Sequence, residues 1–490
     1  MRVAIVGAGF SGIAMAIALR REGVEDFTVF ERAEGLGGVW SHNTYPGAAC
    51  DVPSYLYSFS YEQRRDWSRP CSPQAEILDY LHATAAKYGV DAHIRTRTEI
   101  ARAQFDEEAA RWRLETTDGE SHEADALVVA CGQLSRPRWP SVTGLNELAG
   151  RSFHSAEWDH DYDMTGKRVA VVGTGASAVQ FVPPLADKAA HLDVYQRTAP
   201  YMLPRRNARY PGWYKRLIEH VTGVQALRRH GTLLYMEVMI LGLIAVPPLR
   251  WAMSGFSQLF MRRQLHDPEL RVKLRPHYPF GCKRILFSSY YLPALARRNV
   301  EVITDRVERV TERGVVAGGV EREVDCIVYA TGFRANDFVF PMQVIGSDGR
   351  ELQETWSMGA EAHLGIAVAG FPAMYMLYGP NTNLGVGSII EMIEAQVGYV
   401  VDSLRAARSA GSALEVRPEV QRWSGQAVQR RLQNSIWTAC ESWYGQNSEG
   451  RVVNNWPGLM TEYRRRTRSF DPTEYREVRA TVSGSPGTST

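Results

Sequence analysis

Short apolar runs that end at glycines recur along the chain and predict buried strands followed by tight turns. The stretch RVAIVGAGFSGIAMAIALRREG (2–23) has the pattern of a strand, a glycine turn and an apolar helix. The stretch KRVAVVGTGASAVQFVPPLAD (167–187) repeats that pattern. Two more apolar runs, 126–137 and 326–333, also lead into glycines. We therefore predict an α/β fold with two similar strand–turn–helix units and parallel sheets.

The glycines of the first unit have the spacing of a dinucleotide-binding turn. Gly7 permits the tight turn, Gly9 lets a pyrophosphate approach the backbone, and Gly12 lets the helix pack on the strand. Glu31 follows 24 residues after Gly7, at the end of the next predicted strand. A carboxylate there accepts hydrogen bonds from ribose hydroxyls. This combination favours a nucleotide site over a plain glycine turn.

The second unit differs from the first at one informative position. Gly173, Gly175 and Ala178 form the turn, and Arg197 stands 24 residues after Gly173, where the first unit has Glu31. A guanidinium pairs with a 2′-phosphate that a carboxylate would repel. We therefore predict that the second site binds NADP(H) and the first a nucleotide with a free 2′-hydroxyl. The alternative for Arg197 is a solvated surface arginine.

The order of these patterns predicts two Rossmann-like domains, one inserted in the other. The first domain would comprise 1–140 and 330–477, and the second 150–330, with ATG at 330–332 as a hinge between them. Residues 205–275 lack a strand pattern and predict a helical insertion that caps the cleft. Residues 478–490 have the composition of a disordered tail.

One long apolar run, 233–249, has two interpretations. It contains Glu237 and ends at two prolines, which favours a buried or cavity-lining helix over a membrane span. The alternative is a monotopic membrane contact. We predict no stable membrane insertion. The apolar N-terminus predicts a strand and not a signal peptide.

Amino-acid composition excludes only a few classes of partner and cofactor. The net charge of +2 over 490 residues gives no reason to expect nucleic acid as a partner. The six cysteines are scattered without a CxxC pair, so we expect neither a disulfide scaffold nor a bound metal. These features predict a cytoplasmic protein.

The stretch LAGRSFHSAEWD (148–159) identifies a family. With GAGFSG, the 35–60 segment and GTGASA…YQRT, it resembles the class B flavoprotein monooxygenases, and within them the Baeyer–Villiger monooxygenases. Gly150, His154, Trp158 and Asp159 match the fingerprint FxGxxxHxxxW followed by Pro or Asp, and Leu148 replaces its Phe. The resemblance implies that His154 and Trp158 belong to an interdomain hinge. The alternative is a linker histidine packed on an indole.

The resemblance also implies site residues. Arg284 would face the flavin as the catalytic cation, and Asp51 would orient it. Residues implied or predicted to bind FAD are Gly7, Gly9, Ser11, Gly12, Glu31, Gly37, Gly38, Val39, Trp40, Asp51, Val52, Tyr57, Asn383 and Leu384. Those for NADPH are Gly173, Thr174, Gly175, Ala176, Ser177, Ala178, Arg197, Thr198 and Lys283. Asn383 is expected at the start of a helix that points at the flavin, or simply as that helix's cap.

The implied activity is a monooxygenation with FAD, NADPH and O2. A C4a-peroxyflavin would attack a small-molecule ketone and give an ester or a lactone. Thr44 and Ala49 stand where many Baeyer–Villiger enzymes have arginines, which keeps an N- or S-oxygenating enzyme open as the alternative. An NADPH oxidase, a flavin reductase and a non-enzymatic flavin-binding protein are further alternatives. The sequence determines neither the ketone nor the oligomeric state.

Overall fold

A computed structural model describes residues 1–205, 207–221, 223–442, 444–445 and 447–481. Of the tail predicted over 478–490, Val478 ends the last strand, where it pairs with Ala413, and residues 482–490 lie outside the described residues.

The strands are short and are spread along the chain. In chain order they are β1 Val3–Val6, β2 Phe27–Phe30, β3 Ile94–Arg95, β4 Ile100–Asp106, β5 Arg111–Thr116, β6 Ser121–Ala124, β7 Ala126–Val129, β8 Arg151–His154, β9 Arg168–Val172, β10 His191–Tyr195, β11 Met202–Leu203, β12 Leu286–Phe287, β13 Val300–Ile303, β14 Val307–Val310, β15 Gly314–Ala317, β16 Val320–Glu323, β17 Cys326–Tyr329, β18 Gln343–Ile345, β19 Met374–Met376, β20 Ala413–Val416 and β21 Tyr475–Val478.

The α-helices are more unequal in length. They are α1 Phe10–Arg21, α2 Val39–His42, α3 Gln74–Lys87, α4 Ala176–Ala186, α5 Gly212–His220, α6 Val224–Ile244, α7 Pro247–Gln264, α8 Pro268–Lys273, α9 Tyr291–Leu295, α10 Leu352–Thr355, α11 Ile389–Ala410, α12 Pro418–Gln433 and α13 Met460–Arg466.

Two five-stranded parallel sheets organise the molecule. The first has the order β19-β7-β1-β2-β3, and the second β13-β10-β9-β17-β8. The strands β1, β7 and β17 are apolar throughout because both faces of their sheets are covered, one by helices and the other by antiparallel strands. Each glycine turn lies between a central strand and the helix that follows, β1 to α1 and β9 to α4. The sheets confirm the predicted α/β class with two Rossmann-like units.

The chain passes between the two sheets at one place. It leaves the first sheet after β7 and returns after β17, and these two connections pair with each other. Pro137 and Phe333 form an isolated antiparallel bridge, and the Arg138 N–H donates to the Gly332 carbonyl at 2.9 Å. The connections therefore form a short two-stranded ribbon between the sheets.

The helices α5 to α8 lie between β11 and β12, within the second unit. The inner face of α6 buries Met236, Ile240 and Leu243 in a third apolar cluster, together with Leu384 and Trp437. Its outer face is exposed, so the expectation of a buried helix over 233–249 is correct for one face only. The α6 helix thus joins the second unit to the C-terminal region.

A disulfide corrects the expectation drawn from the cysteines. Cys282 and Cys440 are bonded across 158 residues of sequence, while Cys50, Cys71, Cys131 and Cys326 are free. The bond joins the loop before β12 to the C-terminal region, close to the third apolar cluster.

Within the described ranges, no single helix meets the length and hydropathy needed to cross a membrane. The pair α6 and α7 meets them jointly, but the two helices are bent by 106° at the break between them.

Candidate active site

The first glycine turn leaves the N-terminus of α1 open for an anion. Gly7 has φ +107°, which disfavours any side chain, and a Cβ at Gly12 would overlap the Gly7 carbonyl. The N-cap of α1 is Gly9, and no side chain accepts from the first N–H groups. Ser11 is buried in this first turn. Free N–H groups at a helix N-terminus suit a pyrophosphate.

Glu31 lies at the end of β2, buried against the same turn. One carboxylate oxygen accepts from the Ala8 N–H at 2.8 Å, and the other from the Ala33 N–H at 2.9 Å. Each oxygen keeps one lone pair for a further donor. These bonds hold the carboxylate in place beside the glycine turn, where the sequence predicts the adenosine ribose.

The second glycine turn gathers cations. Gly173 has φ +112°, and a Cβ at Gly175 would meet nothing within 4 Å. Exposed Arg197 follows β10, and the Lys283 ammonium lies 3.5 Å from the Thr198 hydroxyl. Burial and the charge of Arg197 lower the pKa of Lys283. The charge of Glu441 only partly offsets this effect, and neither cation forms a salt bridge within the described part of the chain, so the two together suit an anion.

The N-terminus of α4 completes this second turn. Its N-cap is Gly175, and no side chain satisfies the first N–H groups. Ala176 and Ser177 form the first turn of the helix, and the Thr174 hydroxyl donates to the Thr198 carbonyl at 3.3 Å. Ala178 is buried against the second sheet.

The segment after Gly37 crosses over the first turn. The Gly37 N–H donates to the Ala8 carbonyl at 2.9 Å, and Gly38 packs directly on Gly9. Val39 begins the short α2 helix, and the Trp40 indole N–H donates to the Tyr57 hydroxyl at 3.2 Å. The two rings meet edge to face. The two glycines thus permit a close backbone contact beside the Trp40 and Tyr57 rings. Half-buried Val52 packs against the same apolar core.

Asp51 and Arg284 form an ion pair although 233 residues separate them. The guanidinium donates to a carboxylate oxygen at 2.7 Å. Burial would raise the pKa of Asp51, but the charge and hydrogen bond of Arg284 outweigh it and lower the pKa. The same pair raises the pKa of Arg284 well above its ordinary value. Both groups are therefore charged at neutral pH.

Three residues around this pair escaped the sequence analysis. Arg205 donates to the Cys50 carbonyl at 3.2 Å, and its charge also lowers the pKa of Asp51. Tyr378 and Tyr444 interact electrostatically with Arg284. No motif marks any of the three. The only local signal is at Tyr378, which precedes a Gly-Pro turn and has φ +62°.

Asn383 neither starts nor caps a helix, so both expectations for this residue are wrong. The α11 helix begins at Ile389, six residues later, with Ser388 at its N-cap position. Asn383 instead accepts from the Tyr378 hydroxyl at 2.6 Å and donates to the Asn455 side chain at 2.6 Å. It is linked to Arg284 through Tyr444, which hydrogen-bonds to both side chains. Leu384, next along the chain, is buried in the third apolar cluster.

His154 and Trp158 point to different surroundings. The His154 ring is fully buried between Trp139 and Phe333, beside the ribbon that joins the two sheets. Trp158 packs against Phe181 in the core of the second unit. The indole that contacts His154 is thus Trp139 and not Trp158. The stretch is also no simple linker, because β8 is a strand of the second sheet.

Comparison with known proteins places this geometry in a family. A family model described as pyridine nucleotide-disulphide oxidoreductase matches residues 4–227. A Baeyer-Villiger monooxygenase of Pseudomonas aeruginosa is 44% identical over 97% of this chain and 91% of its own. One of Streptomyces coelicolor is 42% identical over 98% and 93%.

Solved structures agree with the sequence relatives. An oxidized steroid monooxygenase bound to NADP has a TM-score of 0.87 at 30% identity, over 97% of this chain and 99% of that chain. A cyclohexanone monooxygenase of Rhodococcus sp. Phi1, bound to NADP+, has a TM-score of 0.86 at 27% identity, over 95% and 96%. The resemblance inferred from the four motifs is confirmed, and the chain belongs to the Baeyer–Villiger monooxygenase family.

Proposed function

We propose that this protein inserts one oxygen atom of O2 beside the carbonyl carbon of a ketone, which gives an ester or a lactone. As a member of the family it is an FAD- and NADPH-dependent monooxygenase that acts on a small molecule. The observation that carries the finer proposal is the Asp51–Arg284 ion pair. It brings a permanent cation from the second unit to the Cys50–Tyr57 segment of the first.

The residues of the first turn fit FAD. The uncapped N-terminus of α1 would hold the pyrophosphate, and Glu31 would accept from the ribose. Gly38 packs closely on Gly9, and neither residue has a side chain that would keep a cofactor away from the backbone. Trp40 and Tyr57 would line the ring system.

The residues of the second turn fit NADPH. Arg197 and Lys283 would pair with the 2′-phosphate, which neutralises two adjacent positive charges. The uncapped N-terminus of α4 would hold the pyrophosphate. Because NADH lacks the 2′-phosphate, these cations favour NADPH.

The ion pair explains how the protein would assist the reaction. Bound FAD supplies hydride acceptance from NADPH and activation of O2. Negative charge develops on the ketone oxygen when the carbonyl is attacked, and a fixed cation stabilises it. Two guanidiniums, Arg284 and Arg205, act on the single carboxylate of Asp51. One positive charge therefore remains uncompensated for the developing oxyanion.

The test is the product formed by the FAD-loaded protein with NADPH in air. We expect ketones to yield products one oxygen heavier that hydrolyse as esters, and Arg284→Ala to lower their rate of formation about 10²–10³-fold. Anaerobic flavin reduction by NADPH, followed by absorbance, should survive in the variant because the 2′-phosphate cations remain. Arg284→Lys keeps the charge without the planar fork and should fall in between.

Other products would contradict the proposal. Sulfoxides or N-oxides alone, from sulfides or amines on the same panel, would establish the heteroatom oxygenase. NADPH consumed with hydrogen peroxide as sole product across cyclic, linear and aryl ketones would favour the oxidase. Unchanged ester formation in Arg284→Ala would remove Arg284 from the chemistry.

A further inference from the structure

The outer surface of the α5–α7 helices is unusually apolar. Of the nineteen large hydrophobic side chains exposed in the described part of the chain, eleven lie between Trp213 and Leu259, a tenth of the sequence. Single exposed apolar residues are normal on a protein surface, but a concentrated patch marks an interaction site. This concentration therefore calls for a partner.

On α6 the exposed residues form a stripe along one face. Leu227, Leu234 and Val238 are separated by seven and four residues, which places them on the same side of a helix, with Tyr235 beside them. Leu234 is 66% exposed. Since the opposite face is also apolar and buried, α6 is hydrophobic on both sides. A helix of this kind belongs in a core or against a membrane.

The neighbouring helix extends the patch. Trp251, at 68% exposure, lies near the start of α7, and Phe256 and Leu259 follow it on the exposed side. The buried Ser257 hydroxyl donates to the Met202 carbonyl on β11 at 2.8 Å, so the inner side of α7 is fixed to the second unit. With its inner side fixed, α7 cannot rotate about its axis to bury the aromatic residues on its outer side.

Charge distinguishes this surface from the rest of the molecule. Residues 212–264 contain seven Lys or Arg and two Glu, a net charge of +5, whereas the whole chain carries +2 and the remainder therefore −3. One of the two glutamates, Glu237, is buried. Among the described residues, Arg250, Arg262 and Arg263 form no ion pair. Apolar side chains flanked by free arginines complement an anionic lipid surface.

Contacts on the inner face hold these helices to the rest of the molecule, so the exposed outer face is a fixed feature of the fold. A Glu237 carboxylate oxygen accepts from the Thr461 N–H at 3.0 Å, and Arg229 forms an ion pair with Glu391 on α11. Leu243 lies against both Gly281, in the loop before β12, and Gly385, in the loop before α11. The same helix therefore presents one apolar face to the site and the other to solvent.

We propose that the α5–α7 surface docks on an anionic lipid bilayer and that the enzyme takes up lipophilic ketones from it. The 106° bend between α6 and α7 suits a hairpin that lies in the interface. The part of this proposal that concerns ketones rests on the proposed function, while the docking itself does not. A second copy of the chain is a poorer occupant, because a symmetric contact would bring two surfaces of charge +5 together.

The test is flotation of the FAD-loaded protein with vesicles. We expect binding to vesicles that contain phosphatidylglycerol, weaker binding to pure phosphatidylcholine, and release as salt rises. The double variant Trp251→Ser/Phe256→Ser should weaken binding at least about tenfold, since two aromatic anchors are lost. Trp423→Ser, at an equally exposed tryptophan on α12, is the matched control and should bind normally.

Two results would overturn the docking. Equal flotation of the Trp251/Phe256 variant and wild type would remove the patch from the contact. The other is a wild-type protein that binds no vesicles and is a dimer by light scattering, while the same variant is a monomer. A second copy of the chain would then be the occupant of the patch. Vesicle binding requires no turnover, so a protein that binds vesicles and oxidises no ketone would contradict the proposed function alone.

Discussion

At the scale of single residues, His154 shows how the fold sets a protonation state. Burial between Trp139 and Phe333 lowers the pKa of His154 to about 4, although the Gly332 backbone opposes the shift. The Nδ1 atom accepts from the Ala156 N–H at 3.2 Å. The ring is therefore neutral at physiological pH, beside the ribbon that joins the two sheets.

This pKa predicts a pH-dependent stability. The unfolded chain binds a proton on His154 near pH 6.5 and the folded chain only near 4, so the folded state loses stability as the pH falls through that window. The loss reaches about 3 kcal/mol at pH 4. His154→Gln keeps an acceptor but does not titrate. Thermal unfolding at pH 8 and pH 4.5 should show a smaller drop in Tm for the variant, and parallel profiles would refute the prediction.

The sequence identified some site residues and missed others for physical reasons. Asp51 and Arg284 stand in motifs that the family keeps, so they could be paired without knowing the fold. The charge of Arg205 acts on Asp51 because the chain after β11 brings the guanidinium to the Cys50 carbonyl, and no periodicity encodes that contact. Asn383 was misplaced because Gly387, with φ +130°, delays the start of α11.

At the scale of elements, the packing of α1 on β1 depends on a missing side chain. A Cβ at Gly12 would overlap the Gly7 carbonyl, so Gly12→Ala must push the helix away from the strand. We expect a destabilisation of about 1–3 kcal/mol and loss of FAD during purification. Flavin absorbance per protein measures the loss.

The second turn supplies the control for that variant. Gly175→Ala adds the same methyl group at a position with nothing within 4 Å, and φ there is negative. This variant should retain FAD. Equal flavin content in Gly12→Ala and wild type would show that α1 accommodates the methyl group.

The helices and strands themselves were easier to predict than the faces that they bury. The two glycine turns and their strands are local patterns, and both parallel sheets followed from them. Tertiary packing decides which face of α6 is buried, because both faces of that helix are apolar. The pattern therefore predicted a helix over 233–249 but could not show that Leu234 and Val238 lie outside.

At the scale of the whole molecule, the Cys282–Cys440 disulfide closes a long covalent loop. No sequence pattern predicts this bond, because 158 residues separate the two cysteines. We expect Cys282→Ala/Cys440→Ala to lower the free energy of unfolding by about 2–5 kcal/mol, since the loop no longer restricts the unfolded chain. Reduced wild type should match the variant in thermal unfolding.

Thiol titration checks the bond directly. Denatured protein without reductant should show four free thiols, and six after reduction. Six thiols before reduction in an oxidising buffer would show that the two cysteines are not bonded.

The paired connections between the sheets have a consequence for how such a protein can be assembled from parts. The chain enters the second sheet at β8 and leaves it at β17, and these two strands are neighbours. Both junctions of the inserted unit therefore lie side by side, spanned by the bridge between Pro137 and Phe333. Replacing the whole unit with that of a relative requires a match at one short pair of junctions, which makes the second unit a natural unit of recombination.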